Sequence, residues 1–173
     1  MEFRNSSLEG FRKALALRVE ALNRALEGIP EEQVRYHICW GNYEGPHTHD
    51  VPLKDIVDLV LKVWAGAYSI EASNPRRTHE WQVWEEVKLP PGKVLIPGVI
   101  DSTTNFVEHP EVVAQRIAQY AKLVARENVI AGSDCGFGTT AGRTLVHPEI
   151  VWAKFKALAE GAALATKRLW GKA

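Results

Sequence analysis

Four short runs of apolar, largely branched side chains recur along this chain, at 34–39, 67–72, 94–100 and 129–131. A helix-like stretch precedes the first run and follows each of the four, so the order is α-βα-βα-βα-βα. That alternation restricts the fold more than any other property of the sequence. Short strands separated by helices pair parallel through right-handed crossovers, in one sheet with the helices outside it. The expected class is therefore α/β, with parallel (βα) units of the TIM-barrel type. Four units make half of an eightfold barrel, and they also suffice for a small open sheet; periodicity does not separate the two.

The helical stretches carry their own signals. Leu8, Phe11, Leu15, Val19, Leu22 and Leu26 recur at intervals of three and four, which predicts a helix over 8–27 that Pro30 ends. A helical period returns over 53–64, and a further helix is expected to begin near His79. His109-Pro110 opens a helix to about Arg126, with Val113, Ile117, Tyr120 and Val124 on one face. His147-Pro148 opens the last helix, to about Leu169. Proline suits the first helical position because its missing N–H would find no partner there. Trp81, Trp84 and Trp152 are expected to pack helices against the sheet. The whole chain, 1–173, reads as a single domain.

Composition enters as a set of exclusions. A chain of 173 residues can bury a core without disulfides. With 21 basic and 21 acidic residues and no basic block, nothing recommends a nucleic-acid partner. No apolar run approaches the roughly 20 residues of a membrane span, and the start, MEFRNSSLEGFRK, lacks the apolar core of a secretory signal. The expectation is a cytoplasmic protein whose two distant cysteines are thiols rather than a disulfide.

In open parallel sheets and closed barrels alike, sites are built beyond the carboxyl ends of the strands. The loops that hold His37, Cys39, Glu71, Asp101 and Cys135 all follow strands. Side chains alternate along a strand, so His37 and Cys39, two residues apart in HICWGN, face the same way. Two readings stand for this pair. Cys39 can be a small buried hydrophobe beside a satisfied polar histidine, or both can be metal ligands. Cys135 lies in SDCGFG, where glycines at 132, 136, 138 and 142 let the chain turn and approach a ligand; a plain turn is the alternative. The run does not match a P-loop, because no lysine follows the glycines in the right place. Glu71, in YSIEASNP, reads either as a carboxylate ligand or as one side of an ion pair with Arg76, Arg77 or His79. Two thiolates with one nitrogen and one carboxylate favour zinc over magnesium or calcium. His47 and His49, in GPHTHD, read more readily as polar loop residues than as a second ligand pair. Trp40 and Tyr43 belong to a strand-end loop and are placed to line a pocket.

HICWGN together with SDCGFG resembles the C-terminal catalytic barrel of the cobalamin-independent methionine synthase family, a UROD/MetE-like fold. Its wider relatives include zinc-dependent enzymes that transfer alkyl groups to thiols, such as the epoxyalkane:coenzyme M transferases. The resemblance runs from the first helix to the last. It implies that His37, Cys39, Glu71 and Cys135 are the zinc ligands and that Asp101, in GVIDSTT, matches the family's aspartate near the active centre. Methionine synthases proper carry a histidine two residues after that aspartate, whereas this chain has Thr103. A threonine cannot deliver protons at neutral pH in the way a histidine does, so the departure weighs against methyl transfer from a folate to homocysteine. The run GNYEGPHTHD is more similar to the thiol alkyltransferases.

The resemblance thus implies a zinc-dependent transferase of methyl or alkyl groups, acting through a zinc-bound thiolate. Asp101 and Thr103 would lie at the catalytic centre, and Trp40, Asn42, Tyr43 and Asn105 would bind substrate. The implied partners are a homocysteine-like or coenzyme M-like thiol and an alkyl donor. The family barrel has eight strands, so this chain resembles its second half only, and open sheet edges need covering. A second copy or a separately encoded first half would then close the ring, and oligomerisation is expected. A metal-dependent lyase or hydrolase, and a non-catalytic half-barrel subunit or fragment, are the alternative readings.

Overall fold

The computed structural model describes residues 7–142 and 144–171. The first helix, α1 (Leu8–Ala25), starts at Ser7, whose side chain accepts from the Gly10 N–H at 3.1 Å. This satisfies one of the donors that a helix start leaves orphaned. Strand β1 (Arg35–Ile38) follows. A 3-10 turn at Leu53–Asp55 and the single-turn helix α2 (Val57–Val60) lead into β2 (Ala67–Ile70). Another 3-10 turn, Glu80–Gln82, runs into α3 (Val83–Glu86), and then comes β3 (Val94–Ile100). The long helix α4 (Pro110–Val124) precedes the two-residue strand β4 (Gly132–Ser133), and α5 (Pro148–Trp170) closes the order.

The four strands form one sheet in the order β1-β2-β3-β4, parallel throughout. Arg35 pairs with Ala67 and Ala67 with Val94, so the first three strands start level. The expected parallel (βα) half-barrel is the observed one. Two cores lie between sheet and helices. The larger joins α1, through Val19, to Tyr68, Ile70, Leu95 and Trp84. The smaller sets Val99 and Ile100 of β3 against Val113 and Ile117 of α4 and Ala165 of α5.

Both His-Pro helix starts behave alike. His109 Nδ1 accepts from the Glu111 N–H at 3.1 Å, and His147 Nδ1 from the Glu149 N–H at 3.3 Å. These two histidines are therefore caps.

Three expectations need correction. The period over 53–64 produces no long helix: Leu53, Ile56, Val57, Leu59, Val60 and Val63 are buried and Lys54, Asp58 and Lys62 are exposed, but the backbone breaks at Ile56, with φ −134°, between the 3-10 turn and α2. The apolar residues 129–131 make only a bridge from Val129 to Leu95; regular pairing with β3 begins at Gly132. Trp152 packs nothing against the sheet and is 72% exposed, on the opposite side of α5 from Lys154, Ala157 and Gly161. Trp84 is buried as expected, and Trp81 packs on the larger core.

Helices α4 and α5 cross at Gly161, where an added Cβ would lie 2.5 Å from Val113 Cβ and 2.7 Å from the Pro110 carbonyl oxygen. Alanine there gains up to about 1 kcal/mol of helix propensity but overpacks the crossing by about 1–3 kcal/mol. Gly161→Ala is expected to lower the urea midpoint at constant m; a raised midpoint would show that the crossing yields freely.

Candidate metal centre

Every strand of the sheet delivers site residues at its carboxyl end, two from β1 and one from each of the others. His37 lies in β1, Cys39 just after it, Glu71 directly after β2, Asp101 directly after β3 and Cys135 two residues past β4. Parallel pairing in register brings these ends together. Donor atoms of His37, Cys39 and Cys135 all lie within 4.8 Å of one another. His37 and Cys39 are exposed and Cys135 is buried, so the cluster opens towards solvent on the β1 side.

The surroundings orient the donors. His37 Nδ1 meets Ser69 Oγ of the neighbouring strand at 3.0 Å, which leaves Nε2 for the thiols. Glu71 is buried; its Oε1 accepts from the Trp40 N–H at 3.1 Å and from the Cys135 thiol at 3.5 Å, and its Oε2 from Asn74 Nδ2 at 2.9 Å. It touches the triad through Cys135 and forms no pair with Arg76, Arg77 or His79. Arg77 instead binds Asp50 and Glu80.

Hydrogen bonds from Cys135 and then from His37 lower the Cys39 pKa to about 4. The His37 pKa is raised, first by its hydrogen bond to Cys39. That of Cys135 is pushed up by its hydrogen bond to Cys39 and by burial. Cys39 is thus the more acidic thiol of the pair.

The residue before Cys135 holds the loops in place. Asp134 is 1% exposed, and its carboxylate accepts from the N–H groups of Ala72, Ser73 and Asn74 at 2.8 Å each and from Asn74 Nδ2 at 2.9 Å. Burial raises its pKa to about 6 against the pull of these donors, so it remains ionised at neutral pH. β3 makes room for it through Gly98, where a Cβ would stand 2.1 Å from Asp134 Oδ1.

Asp101 is buried and bonded inward. Its Oδ1 accepts from Thr103 N and from Thr103 Oγ1, both at 3.1 Å, and its own N–H donates to Glu108 Oε1 at 2.7 Å. Lys154 Nζ completes that carboxylate, 2.9 Å from Glu108 Oε2 and itself fully buried. Asn42 ties three loops together: it accepts from Ser102 Oγ at 2.8 Å and donates to the Gly136 carbonyl and to Thr139 Oγ1. Cys39, Trp40 and Tyr43 line a cavity of about 870 Å³ whose wall also includes Leu8 and Phe11 of α1. Asn105 is exposed on the loop after β3 and is not among the residues lining that cavity. His47 spends both ring nitrogens locally, on Asp50 Oδ2 at 3.0 Å and the Tyr43 carbonyl at 3.3 Å.

Sequence reasoning overlooked Ser69, Asn74, Glu108 and Lys154. Only Asp134 carried a signal, its place inside SDCGFG.

The donor set suits zinc. A tetrahedral zinc spaces its donors by roughly 3.3–3.8 Å, and two sulfurs, one imidazole nitrogen and an adjacent carboxylate lie within reach of that arrangement.

Sheet order and cluster together define half of a (βα) barrel with a sulfur-rich candidate metal site at its strand ends. The chain belongs to the family described as cobalamin-independent synthase, catalytic domain, whose model matches residues 15–152. It is similar to the 2-hydroxypropyl-CoM lyase of Xanthobacter autotrophicus, 25% identical over 168 residues, covering 83% of this chain and 43% of that protein. The methionine synthase of Thermococcus kodakarensis is 27% identical over 122 residues, covering 70% of this chain and 32% of its own length. Among solved structures, a B12-independent methionine synthase from Shewanella sp. W3-18-1, in complex with selenomethionine, shares the fold. The TM-score is 0.73 at 24% identity, over 95% of this chain and 48% of that one. The chain spans less than half the length of each of these proteins. No helix among the described residues is long and apolar enough to cross a membrane.

Proposed function

We propose that this chain, as a single domain over 1–173, carries the zinc site of a transferase that moves a methyl or alkyl group to a thiol. The observation that carries this reading is the meeting of His37, Cys39 and Cys135 within 4.8 Å, with Glu71 against Cys135. Family membership supports a metal-dependent transfer or lyase reaction. His37, Cys39, Glu71 and Cys135 would hold the ion. Bound zinc supplies acidification of an incoming thiol, presenting it as a thiolate.

The chain's own residues do the positioning. Trp40 and Tyr43 form the aromatic wall of the cavity beside Cys39. Asp101 and Thr103 set a polar rim beyond β3, where Asp101 orients a polar group of the substrate. Asn42 acts by holding the three loops around the substrate, and Asn105 meets whatever covers the loop after β3. The thiol would be homocysteine-like or coenzyme M-like and the donor an electrophilic methyl or alkyl carbon. Free cysteines suit a reducing compartment such as the cytoplasm. One further observation favours a lyase as second reading: Thr103 bonds back to Asp101 and offers no titratable proton donor.

Protein purified without added zinc is expected to contain about one zinc per chain by elemental analysis. Cys39→Ser and Cys135→Ser should each weaken zinc binding about 100-fold or more, since removing a ligand exceeds the 10–100-fold effect of outer-shell changes. Stoichiometric zinc that survives both changes would sink the proposal.

A further inference from the structure

We infer that the alkyl donor is an onium compound, a sulfonium or a quaternary ammonium, whose positive charge is held by Trp40, Tyr43 and Asp55 in the cavity that Cys39 lines. This names the donor for the transferase reading above and rests on it. Two features on different elements carry it: the rings and charges of the cavity wall, and the hydroxyl that stands after β3.

At about 870 Å³ the cavity has the size of a small-molecule site. Phe11, Trp40 and Tyr43 line it together with two carboxylates, Asp50 and Asp55, and among the described residues of its wall there is no lysine or arginine. Asp50 is occupied by Arg77 and His47. The Asp55 carboxylate takes no hydrogen bond among the described residues. Arg12 feels it as a nearby charge but pairs with Asp58 and bonds the Asp55 carbonyl oxygen. Arg76 turns to Asn74 and to the Tyr43 carbonyl. Three guanidinium groups, of Arg12, Arg76 and Arg77, thus stand against the carboxylates of Asp50, Asp55, Asp58 and Glu80. Trp40 already carries one cation, since Arg77 lies 4.0 Å from its ring centroid. An indole has two faces, and Arg77, which does not line the cavity, takes one. The Trp40 Nε1–H donates to the Val51 carbonyl at 2.7 Å, which fixes the ring before any ligand arrives. Fixed aromatic rings beside an unpaired carboxylate are the surroundings that a diffuse organic cation prefers.

The fate of the leaving group points the same way. The acceptor thiol gives its proton to solvent, and its sulfur then forms a C–S bond to the alkyl carbon with its own electron pair. The bond from that carbon to its carrier breaks, and the pair stays on the carrier. A neutral amine or an epoxide oxygen would then bear a negative charge and need a proton from a group that titrates near neutral pH. An onium carrier departs as an uncharged sulfide or tertiary amine and needs none. Thr103 suits the second case: its hydroxyl is buried and donates to the Asp101 carboxylate, 3.1 Å from Oδ1 and 3.3 Å from Oδ2. Of the imidazoles on the cavity wall, His47 uses both ring nitrogens on Asp50 and the Tyr43 carbonyl, and His49 is exposed. Asn42 joins the two features, because it accepts from Ser102 Oγ at 2.8 Å and lies between Trp40 and Tyr43 in the β1 loop.

The test is a ligand-observed NMR titration of the full chain with choline, with hydroxyethyl-dimethylsulfonium, and with the neutral dimethylbutanol in which carbon replaces the charged nitrogen of choline. At least one of the two cations is expected to bind about tenfold or more tighter than the neutral isostere. Whichever cation binds tighter tells a sulfonium donor from an ammonium one. Asp55→Asn should weaken the cations about fivefold or more and leave the isostere within about twofold. Trp40→Leu should weaken the cations similarly, and Trp40→Phe should restore most of their binding, which a folding defect would not do. Equal binding of cations and isostere, tighter binding of the anion isethionate, parent affinity in Asp55→Asn, or no binding of any probe overturns the inference. Zinc is measured by elemental analysis on the same preparation. One zinc per chain without a preference for the cations sinks the donor assignment alone, and a preference for the cations without zinc sinks the transferase reading.

Discussion

Lys154→Met is expected to destabilise the protein by about 3–5 kcal/mol, the cost of stranding one charge of a buried pair. The ammonium is fully buried and lies 2.9 Å and 3.1 Å from the two oxygens of Glu108, itself 8% exposed. Methionine matches the lysine stem in length, so packing changes little and the loss is electrostatic. Glu108 Oε1 also accepts the Asp101 N–H, so the orphaned carboxylate disturbs the loop that presents Asp101. The double change Lys154→Met with Glu108→Gln removes both charges and keeps an oxygen for that N–H. It is expected to return to within about 1–2 kcal/mol of the parent, because a buried ion pair contributes little net stability once desolvation is counted. Urea titrations of the parent, both single variants and the double variant give the coupling. A Lys154→Met midpoint equal to the parent's would mean that water reaches the pair and that its burial carries no cost.

Elements whose residues repeat at a fixed local interval were readable from the sequence, and those held by distant partners were not. Helices α1, α4 and α5 announce themselves through the three-four spacing and the His-Pro starts, and β3 through its unbroken apolar run. The single-turn helices at Val57 and Val83 do not show their length, because one turn is too short to repeat a three-four interval. The start of β4 is displaced onto glycine because Gly98 and Asp134 require backbone approach, a pairwise condition between residues far apart in sequence. The same division runs through the site. His37 and Cys39 are legible two residues apart on one strand, and parallel order alone sends Glu71, Asp101 and Cys135 to the same edge. Glu108 with Lys154, and Asn74 with Asp134, are separated by 46 and 60 residues. Glu108, Lys154 and Asn74 read in sequence as ordinary polar residues on a loop or helix, Asp134 shows only its place in SDCGFG, and the fold alone shows that they fix the loops around the centre.

The second large effect concerns Asp134, which holds the centre together without belonging to the triad. Asp134→Ala leaves three buried backbone N–H groups, those of residues 72–74, without an acceptor and takes one of the two acceptors of the Asn74 amide, which keeps Glu71. At about 1–3 kcal/mol for each unmet buried group, a loss of about 4 kcal/mol or more is expected. The consequence for the site follows from chain connectivity. The turn that Asp134 holds begins at Glu71, and Asp134 is bonded directly to Cys135, so releasing the turn separates Glu71 from the thiol it meets at 3.5 Å. Zinc affinity is expected to fall about 10–100-fold, the usual effect of losing an orienting partner. Asp134→Asn keeps the volume but turns an amide N–H₂ towards two donors, so it should show a smaller loss of both stability and zinc. Gly98→Ala reaches the same point from the other side. Its Cβ would lie 2.7 Å from Asp134 Cα and N, backbone atoms that cannot rotate away, so β4 must shift with Asp134 intact. The two substitutions should therefore weaken zinc binding in parallel, measured by competition with a chromogenic chelator on folded protein. Parent zinc affinity in Asp134→Asn and Gly98→Ala would show that the triad holds its geometry without the cradle.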